Sequence, residues 1–260
     1  MLGRLLKLFG VYWIYERWLR HVVLSRPLPK HIAIIVDGNR RWATRRGWPP
    51  WVGHRYGADR LEEILEDTLK IGVETITLFA LSTENMRRKP EEVGALLSLI
   101  KDRAEKLERS NLIHSYKVRV RVLGRKEMLP SDVRAALERL ERKTSGYSRH
   151  FLNIAVAYGG RSEILDAVRS IALKVKNGLL SVEQIDEKTV EESLYTRGLP
   201  HPEPELIIRT SGEVRISNFL LWQSAYSELI FIDVNFPDFR FIDLLRAIRT
   251  FQQRSRRFGL

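Results

Sequence analysis

The sequence predicts an α/β protein, a single domain with a central parallel sheet of about six strands covered by helices, plus an N-terminal amphipathic helix. Three observations lead there. Short apolar runs alternate with helix-period segments along the chain. Glycine and proline punctuate their boundaries. No internal repeat or low-complexity linker divides the 260 residues.

The elements follow in order. Residues 1–26 place Leu2, Leu5, Leu6, Phe9, Trp13, Leu19, Val22 and Val23 at roughly helical spacing, with Arg4, Lys7, Arg17 and Arg20 between them. This is a basic amphipathic helix of the kind that lies on a membrane surface or packs on its own domain. Pro27 and Pro29 end it. His31–Val36 is a continuous apolar run, as in a strand buried on both faces. Ala58, Leu61, Leu65 and Leu69 then repeat with helical period, and Gly72 closes that helix. Thr75–Phe79 is a second strand, and Pro90 opens a helix carrying Val93, Leu96, Leu97 and Ile100. Val118–Leu123 is a third strand, and Pro130 starts a helix with Val133, Leu137 and Leu140. Phe151–Ala157 is a fourth strand, followed by a helix over Arg161–Lys176 that Gly178 terminates. Leu206–Ile208 and residues 228–234 complete the strands, and a last helix runs over 240–256.

Composition narrows the function. There is no cysteine, which excludes disulfides, thiolate metal sites and a cysteine nucleophile. The formal net charge is +12, and arginine supplies 32 of the 44 basic residues. The guanidinium fork grips phosphate with two parallel hydrogen bonds, so an anionic partner is expected. No stretch of 18 apolar residues exists, so nothing reads as a membrane span. P-loop, GxGxxG and GxSxG motifs are absent, and the histidines lack zinc-ligand spacing. No nucleic-acid-binding motif is present, and nucleic acid is not an expected partner.

In open parallel sheets, ligands bind beyond the carboxyl ends of the strands. Three strand ends here combine arginine with small polar residues. After the first strand comes Asp37-Gly38-Asn39-Arg40-Arg41-Trp42, a turn whose backbone amides and arginines suit a phosphate and whose carboxylate suits magnesium. After the second comes Ser82-Thr83-Glu84-Asn85-Met86-Arg87-Arg88, and after the fifth Arg209-Thr210-Ser211-Gly212-Glu213-Val214-Arg215-Ile216-Ser217-Asn218. Glu228 opens the sixth strand. The constellation favours one or two polyanionic small molecules.

The segments HIAIIVDGNRRWA (31–43), FALSTEN (79–85), AYGGR (157–161), IIRTSGEVRISNFLLWQSAYSELIF (207–231) and the tail RRFGL (256–260) resemble the cis-prenyltransferase family of undecaprenyl diphosphate synthase type. The N-terminal helix resembles that of archaeal and eukaryotic members more than bacterial ones. The resemblance implies an N-terminal helix over 1–27 and a catalytic domain over 28–260. It implies a homodimeric enzyme that condenses isopentenyl diphosphate, in cis configuration, onto an allylic starter such as geranylgeranyl or farnesyl diphosphate. The product is then a long-chain polyprenyl diphosphate for a lipid glycosyl carrier. A short-chain synthase or a non-catalytic partner subunit are the alternatives. The protein is expected in the cytoplasm, peripheral to a membrane.

Position by position, Asp37 resembles the aspartate that assists Mg2+ and diphosphate departure. Gly38, Asn39, Arg40 and Arg41 resemble the turn around the allylic diphosphate, with Trp42 and His54 at further positions of that site. Ser82, Thr83 and Glu84 resemble the loop beside the substrates, Asn85 the residue proposed as proton acceptor, and Arg88 a substrate arginine. Arg209, Arg215 and Ser217, with Ile216 among them, resemble the isopentenyl diphosphate clamp. Glu228 resembles a second magnesium carboxylate reached across a dimer interface, and Arg257-Phe258-Gly259 a tail that reaches a partner's site. Two departures stand out. Pro50 occupies the place of an arginine, for which Arg45, Arg46 or Arg55 is a candidate substitute. Met86, at a substrate position, occupies the place of a tryptophan. The growing chain needs an apolar tunnel between the sheet and the helices at about 55–71 and 90–109, with Leu61, Leu65, Leu96, Leu97 and Ile100 as candidate lining.

Overall fold

A computed structural model describes residues 11–254. Residues 1–10 of the N-terminal segment, with Leu2, Arg4, Leu5, Leu6, Lys7 and Phe9, lie outside the described residues, as does the tail 256–260 with Arg257-Phe258-Gly259.

Six parallel strands form one sheet: β1 His31–Ile35, β2 Thr75–Ser82, β3 Val118–Leu123, β4 His150–Tyr158, β5 Leu206–Arg209 and β6 Glu228–Phe231, in spatial order β3-β4-β2-β1-β5-β6. The helices are α1 Val11–Leu24, α2 Asn39–Thr44, α3 Pro50–Ile71, α4 Pro90–Glu108, α5 Asn111–Ser115, α6 Ser131–Thr144, α7 Gly160–Lys176, α8 Glu187–Glu191 and α9 Phe241–Gln253. Among the described residues each expected strand and long helix is present, the first and last helices as Val11–Leu24 and Phe241–Gln253. The short helices α2, α5 and α8 are additions, because a helix of one or two turns leaves too few apolar repeats to declare a period. The sixth strand ends at Phe231 rather than 234, and β2 runs on to Ser82 rather than stopping at Phe79.

The apolar residues of the strands divide between two cores. Ile32 and Ile34 of β1 join the larger one with α1, α3, α4, α6 and α9, while Ala33 and Ile35 face Tyr158, Phe219 and Leu220. Burial on both faces explains the unbroken apolar runs. Gly72 caps α3 in the left-handed region with φ 95°. The helix α1 lays Leu19 and Val23, both fully buried, on the same core as α9. Gln252 Nε2 donates to the Val23 and Pro27 carbonyls at 2.9 and 3.0 Å, pinning the end of α1. The opposite side of α1 exposes Trp13, Ile14 and Trp18.

The strand order reverses at β1: β2, β3 and β4 lie to one side, β5 and β6 to the other. The crevice beyond the carboxyl ends of β1 and β5 is therefore the place for a ligand.

Candidate active site

Asp37 follows β1 by two residues, and its position is fixed through the backbone. Its amide donates to Thr210 Oγ1 at 3.0 Å, and the same hydroxyl donates to the Asp37 carbonyl at 2.8 Å. The Gly38 amide donates to Asp37 Oδ1 at 2.7 Å. Gly38 sits at φ 94°, and a Cβ there would fall 2.5 Å from Asn235 Oδ1, so glycine is required on both counts. Arg209, at the end of β5, donates from Nη2 to Asp37 Oδ2 at 2.6 Å and from Nη1 to Ser217 Oγ at 2.6 Å and the Arg215 carbonyl at 2.5 Å. Its side chain is 5% exposed, so the pair is a nearly buried cation against a partly open carboxylate. Its Nε is buried without a partner.

The turn at 38–41 starts α2, which lies against α3. Two glycines of α3 make that approach possible: a Cβ on Gly53 would meet the Asn39 carbonyl at 1.9 Å, and one on Gly57 would meet Asn39 Oδ1 at 2.4 Å. Arg41 donates to the Ser211 carbonyl at 3.0 Å and to Glu213 at 2.7 Å, and Arg215 reaches the other oxygen of Glu213 at 2.6 Å. Hydrogen bonding from Arg41, with the charge of Arg215, holds the Glu213 carboxyl below its ordinary pKa. On the other side, Glu92 accepts from Arg88 at 2.9 Å and lies 3.4 Å from Arg40 and 3.6 Å from His54. Burial, helped by the positive charge of Arg88, pulls His54 down to about 4. At neutral pH that imidazole is uncharged.

The loop after β2 folds back on itself. Asn85 N donates to Ser82 Oγ at 3.1 Å, and Asn85 Oδ1 accepts from the Ser82 amide at 3.3 Å. Asn218 Nδ2 donates to Glu84 at 2.9 Å, tying this loop to the 209–218 loop. Burial works to raise the Glu84 carboxyl, but hydrogen bonds from its own amide, Asn218, Ser82 and Thr83 outweigh it and lower the pKa.

These side chains surround one cleft of about 950 Å³. It is lined by Asp37, Gly38, Asn39, Arg40, Arg41, His54, Ser82, Glu84, Asn85, Arg88, Arg209, Arg215 and Ser217. Of the expected residues, Trp42, Thr83, Met86, Ile216 and Glu228 do not line it. Trp42 is buried beside the cleft rather than in its lining, packed with Trp48 and Tyr56 and covered by the Arg46 guanidinium at 3.9 Å from its ring. Thr83 donates to Glu84, and Met86 packs on the larger core. Glu228 pairs with Leu206 at the amino end of β6, the opposite end of the sheet from Asp37, and its carboxylate takes Arg254. Within one chain Glu228 and Asp37 are not brought together. Of the three candidates to replace the arginine at Pro50, Arg45 lines the cleft.

A narrower apolar cavity of about 120 Å³ continues from the cleft between the sheet, α3 and α4. Asn39, His54, Val36, Ala80 and Leu96 line both spaces and form the neck between them. Leu61, Leu65, Leu96 and Ile100 line the tunnel as expected, but Leu97 does not; it faces the larger core instead. The reasoning from sequence did not single out Glu92, Glu213 or Asn218 as organisers of the site. Two of these are acids within reach of arginines in the same segment, and that pairing was the available signal.

Over 248 residues the chain is 54% identical to a tritrans,polycis-undecaprenyl-diphosphate synthase (geranylgeranyl-diphosphate specific) of Pyrococcus horikoshii, covering 95% of this chain and 93% of that one. It is 56% identical over 249 residues to the protein of the same description from Methanopyrus kandleri, covering 96% and 91%. It is 47% identical to an isoprenyl transferase of Thermus thermophilus over the whole of both chains. The crystal structure of lavandulyl diphosphate synthase from Lavandula x intermedia, in complex with dimethylallyl diphosphate, superposes with a TM-score of 0.85 at 36% identity, covering 90% of this chain and 99% of that one. With the undecaprenyl diphosphate synthase family model matching residues 35–259, the chain belongs to the cis-prenyltransferases and is a prenyl-transferring enzyme.

Proposed function

We propose that the enzyme extends geranylgeranyl diphosphate with isopentenyl diphosphate units in cis configuration to a long-chain polyprenyl diphosphate. The observation that carries this reading is the junction of a polar, arginine-rich cleft with an apolar tunnel at one neck. Head groups and tail of a prenyl diphosphate need those two environments side by side. Arg40, Arg41 and Arg88 hold the allylic diphosphate, and Arg209, Arg215 and Ser217 hold isopentenyl diphosphate. Each of these arginines except Arg209 is at least 30% exposed at its side chain and reaches incoming oxygens without unfolding the loop. Arg209 is anchored, so it orients one head group against Asp37.

Magnesium fits this donor set. Mg2+ is commonly held by one or two carboxylates, with phosphate oxygens and water completing the shell. Asp37 is 34% exposed at its side chain, and the described residues contain no cluster of three or more acids or histidines that would make a closed cage. Asp37 would hold the ion with diphosphate oxygens, joined by Glu228 only from a second copy. When bound, the ion supplies charge neutralisation for the departing diphosphate. The arginines supply the rest, as fixed donors aimed where negative charge develops. His54 and Asn39 close the neck against water. Asn85 is a neutral amide whose carbonyl already accepts from Ser82, so it positions isopentenyl diphosphate, and the proton leaves to water or a diphosphate oxygen.

A homodimer and peripheral membrane contact through the outer face of α1 belong to the same proposal. No described helix is long and apolar enough to cross a membrane. The test is incubation with labelled isopentenyl diphosphate, Mg2+ and a panel of allylic starters. Long cis products, formed fastest from geranylgeranyl diphosphate, are expected. Products that stop after one addition with every starter, or trans double bonds, would overturn it.

A further inference from the structure

Neither glycine of the AYGGR segment, 157–161, lines the cleft, yet both are pressed against the turn at 217–221. A Cβ on Gly159 would stand 2.8 Å from Asn218 Nδ2 and 2.8 Å from Thr83 Oγ1. One on Gly160 would stand 2.7 Å from Leu221 Cγ. Gly159 has φ −162°, extended backbone that any residue adopts. Glycine is needed there for space, not for conformation, and the Asn218 side chain takes up that space.

Asn218 is tied in two directions. Its carbonyl accepts from the Gly160 amide at 2.7 Å and its Oδ1 from the Arg161 amide at 2.8 Å, which fixes it to the first turn of α7. Its Nδ2 donates to Glu84 Oε1 at 2.9 Å, across to the loop after β2. Its backbone sits at φ 64°, with Ser217 at 50° and Leu220 at 45° beside it. Left-handed backbone at several non-glycine residues in a row persists only where the surroundings over-determine it. Phe219 and Leu220, fully buried with Tyr158, are one anchor of this turn, and the Asn218 amide is the other. Glu84 in turn accepts from Asn218, Ser82 and Thr83, and among the described residues no arginine pairs with it. Its carboxylate is occupied by the joint.

The two loops so joined carry two halves of one binding site. Arg209, Arg215 and Ser217 come from one, and Asn85, next to Glu84, from the other. The arginines assigned to the allylic diphosphate are held elsewhere: Arg40 and Arg88 by Glu92, and Arg41 by Glu213 and the Ser211 carbonyl. We propose that Asn218 is a positioning residue for isopentenyl diphosphate, keeping the two halves of its site in register by binding Glu84 to the first turn of α7, in a space that Gly159 leaves open. This inference rests on the assignment of the 209–217 loop to isopentenyl diphosphate above. Breaking the joint lets Asn85 drift from the clamp, so the loss falls on isopentenyl diphosphate and spares the allylic starter.

Steady-state kinetics with geranylgeranyl diphosphate and Mg2+ test it. Asn218→Gly keeps the left-handed backbone and removes the amide. It should raise KM for isopentenyl diphosphate about tenfold or more, with KM for the starter within about twofold. Gly159→Ala, which adds one methyl group outside the cleft, should move the same KM in the same direction. Asn218→Asp sets two carboxylates against each other and should be worse than Asn218→Gly. Adding Glu84→Gln to Asn218→Asp restores one donor and one acceptor with their roles exchanged, and should bring KM back to within about threefold of wild type. That recovery also separates positioning from misfolding, since a merely damaged fold is not repaired by a second change. An unchanged KM in Asn218→Gly and Gly159→Ala, an equal rise for both substrates, or no recovery in the double variant would overturn the proposal while leaving the clamp in place. Arg215→Ala checks the clamp itself: an unchanged KM for isopentenyl diphosphate there would remove that assignment, and the role of Asn218 with it.

Discussion

Asp37 and Arg209 face each other at 2.6 Å at the strand ends, each with a separate set of supports. Asp37 is held through its backbone by Thr210, and Arg209 by Ser217 and the Arg215 carbonyl. Losing the Asp37 charge therefore does not collapse the clamp. Asp37→Asn keeps the shape and one acceptor oxygen, enough for Arg209 but not for the Gly38 amide as well, while removing the charge proposed to hold the metal. It should lower kcat by about a hundredfold or more, with KM for isopentenyl diphosphate within a few-fold, as expected for a contact made mainly in the transition state. Steady-state kinetics at saturating Mg2+ check it, and a parallel rise in KM would assign Asp37 a role in holding the clamp instead. Asp37, Arg209 and Arg88 were legible in the sequence because strand ends in a parallel sheet are ligand positions. Glu92 and Glu213 were not, because an acid beside arginines in a first helical turn or a loop looks the same whether it faces solvent or gathers the arginines around a cleft.

Between elements, β1, β2 and β4 carry a buried polar row across the middle of the sheet. His31 Nε2 lies 2.7 Å from Thr77 Oγ1, and Asn153 Nδ2 donates to the same hydroxyl at 2.9 Å. Burial drives His31 down to about 3 from an ordinary 6.5. The unfolded chain therefore takes up a proton below pH 6.5 that the folded chain refuses until about pH 3. Stability is fully present above pH 6.5 and is lost as pH falls through that window, at up to about 1.4 kcal/mol per pH unit. His54 adds a similar loss between 6.5 and about 4. His31→Gln retains a side-chain amide for Thr77 and removes one titration. Between pH 7 and 5 its urea-unfolding free energy should fall by about 2 kcal/mol less than that of wild type; equal pH slopes would show that His31 does not carry the effect. The same scale shows what periodicity could and could not tell. Long helices and doubly buried strands announced themselves, and Gly72 and Pro90 marked real ends. The contact of α2 with α3, which sets the neck, depends on Gly53 and Gly57 meeting Asn39 across a turn, and no periodic signal encodes that.

At the level of the whole molecule, one face of the N-terminal helix packs on its own domain, and the other is the face on which the proposed membrane contact rests. Leu19 and Val23 are buried against the core shared with α9, whereas Trp13 is 65% and Ile14 59% exposed. Arginines flank the exposed aromatics: Arg17 lies 5.5 Å from the Trp13 ring and Arg249 5.1 Å from that of Trp18. Tryptophan with arginine suits a headgroup region, where the ring finds a half-apolar layer and the guanidinium finds phosphate. Deleting the whole helix would confound this question. It would strip Leu19 and Val23 from the core, each contributing about 1.5–3 kcal/mol of burial, and would lower activity by unfolding. Changing the outer face alone avoids that. Trp13→Ser, Ile14→Ser and Trp18→Ser together should lower the thermal midpoint by only a few degrees, since Trp13 and Ile14 are mostly exposed and Trp18 gives up contacts with Tyr15 and Arg249. Sedimentation with vesicles rich in anionic lipid should fall about tenfold or more, because three large apolar side chains no longer enter the interface. Turnover on soluble short starters should stay at the wild-type rate, since none of the three lines the cleft or the tunnel. If the triple variant sediments like wild type, the outer face of α1 is not the docking surface; if it loses the thermal midpoint, these residues belong to the fold after all.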